Sequence, residues 1–149
     1  MDVRRYPSSR RMPWFGAEPL AAALAGAGIR YLHLPELGGR RNPVPESPNG
    51  GWRVGQFQGY ADHMASEEFA AGLRRLEALA RERHTAVMCA EAQWWRCHRR
   101  LLSDALLVRG WEVLHVDARG GVEPHSLTEF AVADGDCVTY PPAQAALDV

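Results

Sequence analysis

The densest chemistry in the chain lies in residues 88–100, MCAEAQWWRCHRR. Cys89 ends an apolar run, TAVMC, and precedes a helical pattern. The positive end of a helix favours a thiolate, and Arg96 and Arg99 add to that field. Cys89 is therefore the candidate nucleophile, with a small buried core residue as its plain alternative. Glu91 is a candidate general base or hydroxyl acceptor, and alternatively an ion-pair partner for a nearby arginine. Cys97 precedes Leu101 by four and Ala105 by eight, which reads as a core-facing position on the helix. His98 then points about 100° away from it, at ~3.6 residues per turn, able to act as acid, base or hydrogen-bond donor. Arg99 falls in the first helical turn, where a cation opposes the helix dipole and an anion would relieve it.

A second cluster opens the chain. VRRYPSSRRMPWF carries Arg4, Ser8, Ser9 and Arg10, guanidinium and hydroxyl groups suited to a phosphate or carboxylate clamp. Its plain reading is a solvated basic surface. His115 ends a third apolar run, WEVLHV, and completes the candidate binding set.

Several named motifs fail against these spacings. A haem attachment pattern needs Cys at position 94, which is Trp94, and a phosphatase loop needs Arg at position 95, which is Trp95. A dinucleotide fingerprint fails because Gly26 and Gly28 follow a helix and the third glycine position is Tyr31. Cys97 and His98 should diverge on a helix, so no metal site is expected, and no cofactor. All 17 basic residues are Arg, which excludes Lys Schiff-base chemistry.

These residues need elements to hold them. Pro19 to Ala27 reads as a helix stopped by Gly28, and Ile29 to Leu34 as a strand. Residues 35–51 form a long loop rich in Pro and Gly, of the kind used for lids and binding loops. Glu67 to Arg83 is the clearest helix, with Phe69, Leu73, Leu76 and Ala80 on one face. Thr85 to Cys89 reads as a buried parallel strand, Arg96 to Arg109 as a helix, Trp111 to Val116 as a strand, and PHSLTEFAVA as a short helix. Alternating strands and helices predict an α/β protein, a three-layer Rossmann-like fold with a mainly parallel sheet. Ligands of such sheets sit beyond the carboxyl ends of the strands, which would put Arg4, Cys89 and His115 on one rim. Residues 1–133 are expected to form a single domain, and 134–149 a loosely held or disordered tail.

The composition agrees with one globular chain: 149 residues, 46% hydrophobic, 23% charged, net charge −1. No apolar run approaches a membrane span, and three cysteines without an export signal point to the cytoplasm. The near-zero charge argues against whole-surface attraction to nucleic acid but allows a local basic cleft.

Four segments in order, DVRRYPSSRR, GIRYLHLPELGGRR, GYADHM and MCAEAQWWRCHRRLLSDAL, resemble the domain of unknown function 488 family over residues 2 to about 130. The resemblance implies a Rossmann-like fold and a site made of Asp2, Arg4, Pro7, Ser8 or Ser9, Cys89, Glu91, Cys97, His98 and Arg99. It implies no reaction. Similar chains begin with a further strand and helix before the DVR segment. Without that strand the sheet would expose backbone groups; either the start is truncated or the sheet closes differently, for instance with a second copy of the chain, and this form is expected to be less stable than one extended upstream.

Three functional readings follow. The first is an enzyme acting on a small anionic, phosphate- or nucleotide-like ligand, with Cys89, Glu91 and His98 catalytic and Arg4, Ser8, Ser9, Arg10, Arg99 and His115 binding. The second is a non-catalytic nucleotide- or nucleic-acid-binding module. The third makes the same residues a structural ion-pair network.

Overall fold

The computed structural model describes residues 1–143. Its helices are α1 (Ala17–Gly26), α2 (Gly55–His63), α3 (Glu67–Glu82) and α4 (Arg99–Val108). Its strands are β1 (Leu114–Val116), β2 (Val122–Pro124), β3 (Val132–Asp134) and β4 (Cys137–Thr139). The chain divides into two compact units. One comprises Met1–Gly39 with Glu67–Ala90; the other comprises Arg40–Ser66 with the described residues from Glu91 onward.

In the first unit, Val3, Leu34, Leu37, Phe69, Leu73 and Leu76 are buried. The apolar face of α3 packs on the 3-10 turn Pro35–Leu37. Gly72 permits the close approach, since a Cβ there would lie 2.9 Å from the Glu36 side chain. The segments around Asp2, His33 and Met88 run side by side in parallel. Asp2 N–H donates to the Leu32 carbonyl at 2.8 Å, and Val3 N–H to that of Met88 at 3.0 Å.

That pairing is where the expected fold fails. It consists of isolated parallel bridges at Asp2, so Ile29 to Leu34 and Thr85 to Cys89 are extended chain rather than strands. Every strand among the described residues is antiparallel: β1 pairs with β2, and β3 with β4. The protein is a small mixed α/β fold with two short two-stranded sheets, not a parallel Rossmann-like one. The error has a physical source. Short apolar runs mark extended chain whether or not a ladder continues along it, nor are these runs buried throughout: Ile29 is exposed and Val87 to Cys89 are half-buried.

The second unit is built on α4, whose Leu101, Leu102, Ser103, Asp104 and Ala105 are buried. PHSLTEFAVA forms no helix; it leaves β2 and reaches the β3–β4 hairpin. Of the expected tail, residues 134–143 hold the end of β3, all of β4 and the buried Tyr140, while 144–149 lie outside the described residues. Loop 40–51 is latched to α2. Asp62 accepts from Val44 N–H (2.9 Å), Ser47 Oγ (2.6 Å) and Asn49 Nδ2 (2.8 Å).

Candidate functional site

The helix expected from Arg96 begins three residues later. Trp94–Arg96 is a 3-10 turn, Cys97 is extended (φ −134°, ψ 155°), and α4 starts at Arg99. Cys97 and His98 therefore do not diverge on a helix. Cys97 Sγ lies 3.7 Å from His98 Nδ1. Arg99 folds back over this corner: its backbone N–H and its Nε each donate to Cys97 Sγ at 3.4 Å. Its Nη2 donates to the Glu91 carbonyl. N–H donors aimed at sulfur favour negative charge there, the environment sought for Cys89. Cys97 is buried, while the Glu91 residue is exposed.

Beside this corner runs a buried polar chain. His115 Nε2 lies 2.9 Å from His125 Nδ1, and His125 Nε2 lies 2.8 Å from Asp104 Oδ1. Asp104 is fully buried and also accepts from Thr128 N–H (2.9 Å) and Tyr140 O–H (2.8 Å). Burial and the Asp104 charge both raise the Tyr140 phenol far above its ordinary range. Since the Asp104 oxygens act as acceptors, His125 Nε2 carries a proton. In the neutral pair, His125 Nδ1 then accepts from His115 Nε2–H, and His115 Nδ1 keeps a lone pair.

The local sequence holds His115 in place. In β1 only His115 turns inward; Leu114 and Val116 are exposed. Trp94 stacks on its ring at 3.7 Å and 2°, and Trp94 Nε1 donates to Glu123 Oε1 at 2.8 Å. Glu123 is the β2 partner of His115, so one hairpin fixes both stacked rings. Burial pushes the His115 pKa down to about 4; His125 and Arg99 push the same way and Glu123 opposes them. His115 is thus neutral at pH 7, within the field of the Arg99 guanidinium.

The first unit has its own network. Arg4 Nε and Nη2 grip Asp2 Oδ1 and Oδ2 at 2.9 and 2.6 Å, and Nη1 donates to the Phe15 carbonyl at 2.8 Å. Tyr31 O–H donates to Asp2 at 2.6 Å. Burial raises the Asp2 pKa, but the hydrogen bonds from Arg4 and Tyr31 outweigh it and hold the carboxyl below its ordinary value. Burial and the Asp2 hydrogen bond push Tyr31 up to about 12. Arg4 and Cys89 leave the Asp2–Met88 bridge in the same direction, and Cys89 is half-buried. Ser8 and Arg10 are exposed, and Ser9 Oγ accepts from Met12 N–H at 3.1 Å.

Of the expected site residues, the second unit gathers Glu91, His98, Arg99 and His115; Arg4, Ser8, Ser9, Arg10 and Cys89 belong to the first unit. Sequence reasoning missed Trp94, Asp104, His125 and Tyr140. Asp104 did carry a signal, because it lies three residues after Leu101 on the inward stripe of LLSDALL. A lone acid on such a stripe needs buried donors. His125 and Tyr140 offered no comparable pattern.

The family model described as Domain of unknown function DUF488 matches residues 1–106. That span includes Arg4, Cys89, Glu91, Arg99 and Asp104, while His115 and His125 lie beyond it. No curated protein and no solved structure matches the chain.

Proposed function

The chain belongs to the DUF488 family, and from that premise we propose that its second unit is an acid–base site for a small anionic ligand of the phosphate or nucleotide type. One observation carries the reading: the unbroken hydrogen-bond chain from buried Asp104 through His125 to His115. A neutral imidazole backed by a second imidazole and a carboxylate is suited to moving a proton. His115 Nδ1 takes the ligand's proton, its Nε2 proton passes to His125 Nδ1, and the positive charge rests beside Asp104. No net charge is left at the stacked ring. Arg99 supplies the anion contact, exchanging part of its hold on Cys97 and Glu91 for the ligand. His98 flanks the same corner as a secondary proton carrier, and Glu91, whose backbone carbonyl holds Arg99, would reach the ligand with its exposed carboxyl from outside.

Titration calorimetry with inorganic phosphate and a nucleoside monophosphate tests this, run in two buffers of different ionisation enthalpy. With each ligand supplied as its dianion at about pH 8, binding should take up a proton from the buffer, because an anion beside Arg99 favours charge on the histidine pair. His115→Gln should bind without proton uptake, and Arg99→Ala should weaken binding at least tenfold. Binding without proton linkage would leave a recognition module. Failure of both anions to bind, with the variants affecting stability alone, would leave a structural network.

For Arg4 the structural reading is favoured by a specific observation. Asp2 and the Phe15 carbonyl engage Nε, Nη1 and Nη2. Cys89 stays a proposed reactive thiol, checked by following its alkylation against pH.

A further inference from the structure

We propose that the loop of residues 5–16 in the first unit is a binding surface for single-stranded nucleic acid. The proposal is independent of the acid–base site. The loop exposes rings that a folded chain would ordinarily bury: Tyr6 and Trp14 are each 60% exposed, and Phe15 is 42% exposed. Arg10 and Arg11 are exposed beside them, and the Arg5 guanidinium lies 5.5 Å from the Tyr6 ring centroid. Residues 3–17 contain no Asp or Glu. Asp2 neutralises Arg4, and the exposed Arg10 and Arg11 give the loop a local positive charge on a chain of net charge −1.

The loop is held in shape. Arg4 donates to the Phe15 carbonyl, and Ala17 N–H to the Pro7 carbonyl at 3.1 Å, closing its base. Ser9 Oγ and the Met12 carbonyl fix the turn, and Pro13–Phe15 is a 3-10 turn. Rings presented by such a frame lose little freedom when a partner arrives. Aromatic faces among arginines match unpaired bases on a phosphate backbone, the base stacking and the phosphate pairing. A duplex hides its base faces, so the exposed rings select single strands. Ser8 and Ser9 add hydroxyl donors beside the phosphates.

Fluorescence anisotropy of the full chain with labelled 12-nucleotide DNA and RNA strands tests this. Both single strands should bind, with the corresponding duplex at least tenfold weaker. Trp14→Ala and Tyr6→Ala should each lose about tenfold in affinity, and Trp14→Phe should retain most of it. The double change of Arg10 and Arg11 to Ala should lower the slope of log K against log salt by about 1.4, or ~0.7 for each phosphate no longer neutralised. Equal binding of duplex, or affinity indifferent to Trp14→Ala, would overturn the proposal. So would binding confined to anionic lipid vesicles, or an anisotropy signal traced to self-association of the chain.

Discussion

Asp104 shows how much can rest on one side chain. Its two oxygens accept from an imidazole, a backbone N–H and a phenol, all in the interior of the second unit. Asn would keep one acceptor and put an NH2 where the other oxygen was, facing either a backbone N–H or a phenolic O–H. Toward Thr128 N–H two donors would meet; toward Tyr140 the phenol oxygen would turn to accept, and the charge that His125 Nε2–H and Thr128 N–H donate to would still be lost. We expect Asp104→Asn to lower stability by about 2–4 kcal/mol, read from urea unfolding. Asp104→Ala, which removes both oxygens, should release the His125 ring, which proton NMR would report as loss of a slowly exchanging ring N–H. The residues that the sequence singles out are those with chemistry packed close together, such as Glu91, His98 and Arg99. Asp104, His125 and Tyr140 belong to separate segments, and only the fold makes them one object. His115 is singled out in the sequence as a strand end, whereas the proposed proton relay rests on its facing inward beneath Trp94.

At the scale of elements, the GYADHM segment acquires a physical account. Gly59 sits on α2 where the backbone of Arg41 and Asn42 crosses the helix, leaving no room for a Cβ. One turn on, Asp62 holds the same loop through Val44, Ser47 and Asn49, while Tyr60 and His63 are buried. Gly59→Ala should gain about 1 kcal/mol of helix propensity and still destabilise by about 1–3 kcal/mol overall, because backbone cannot move aside as a side chain can. A lower melting temperature with unchanged helical circular dichroism is the expected result. The length and composition of residues 35–51 suit a lid or binding loop, and the side chain that ties residues 44–49 down lies in α2, outside the loop. Long amphipathic patterns were read correctly: α3 lies within a residue of its expected bounds, since Phe69, Leu73 and Leu76 repeat at helical spacing. The start of α4 was misplaced because Trp94–Arg96 continues the same apolar rhythm as a 3-10 turn. That shift of three residues is what brings Cys97 and His98 together.

At the scale of the whole molecule, the two units respond to acid through different groups. In the second unit the His115 pKa is about 4, against 6.5 for an unperturbed imidazole. The unfolded chain therefore takes up this proton first as the pH falls. The stability tied to neutral His115 is complete above pH 6.5 and is lost progressively down to about 4. In the first unit the Asp2 carboxyl is held below its ordinary value of 3.8. Its contribution is complete above that value and is lost only at lower pH, as the folded carboxyl protonates. Between pH 6.5 and 4 His115 weakens the second unit while Asp2 stays ionised in the first, where the Met1 amine, its pKa lowered by burial, is the group that takes up a proton as pH falls from 8.0. Amide hydrogen exchange at pH 7 and pH 5, corrected for the intrinsic exchange rate, should show a larger fall of protection in α4 than in α3. His115→Gln, which removes the titrating ring, should abolish the difference between the two pH values in α4. Helix α1 provides an internal standard. It buries none of its ten residues, so its amides should exchange first at either pH. Equal loss of protection in α3 and α4 would mean that neither His115 nor Asp2 governs its own unit, and that the acid response comes from groups shared across the chain.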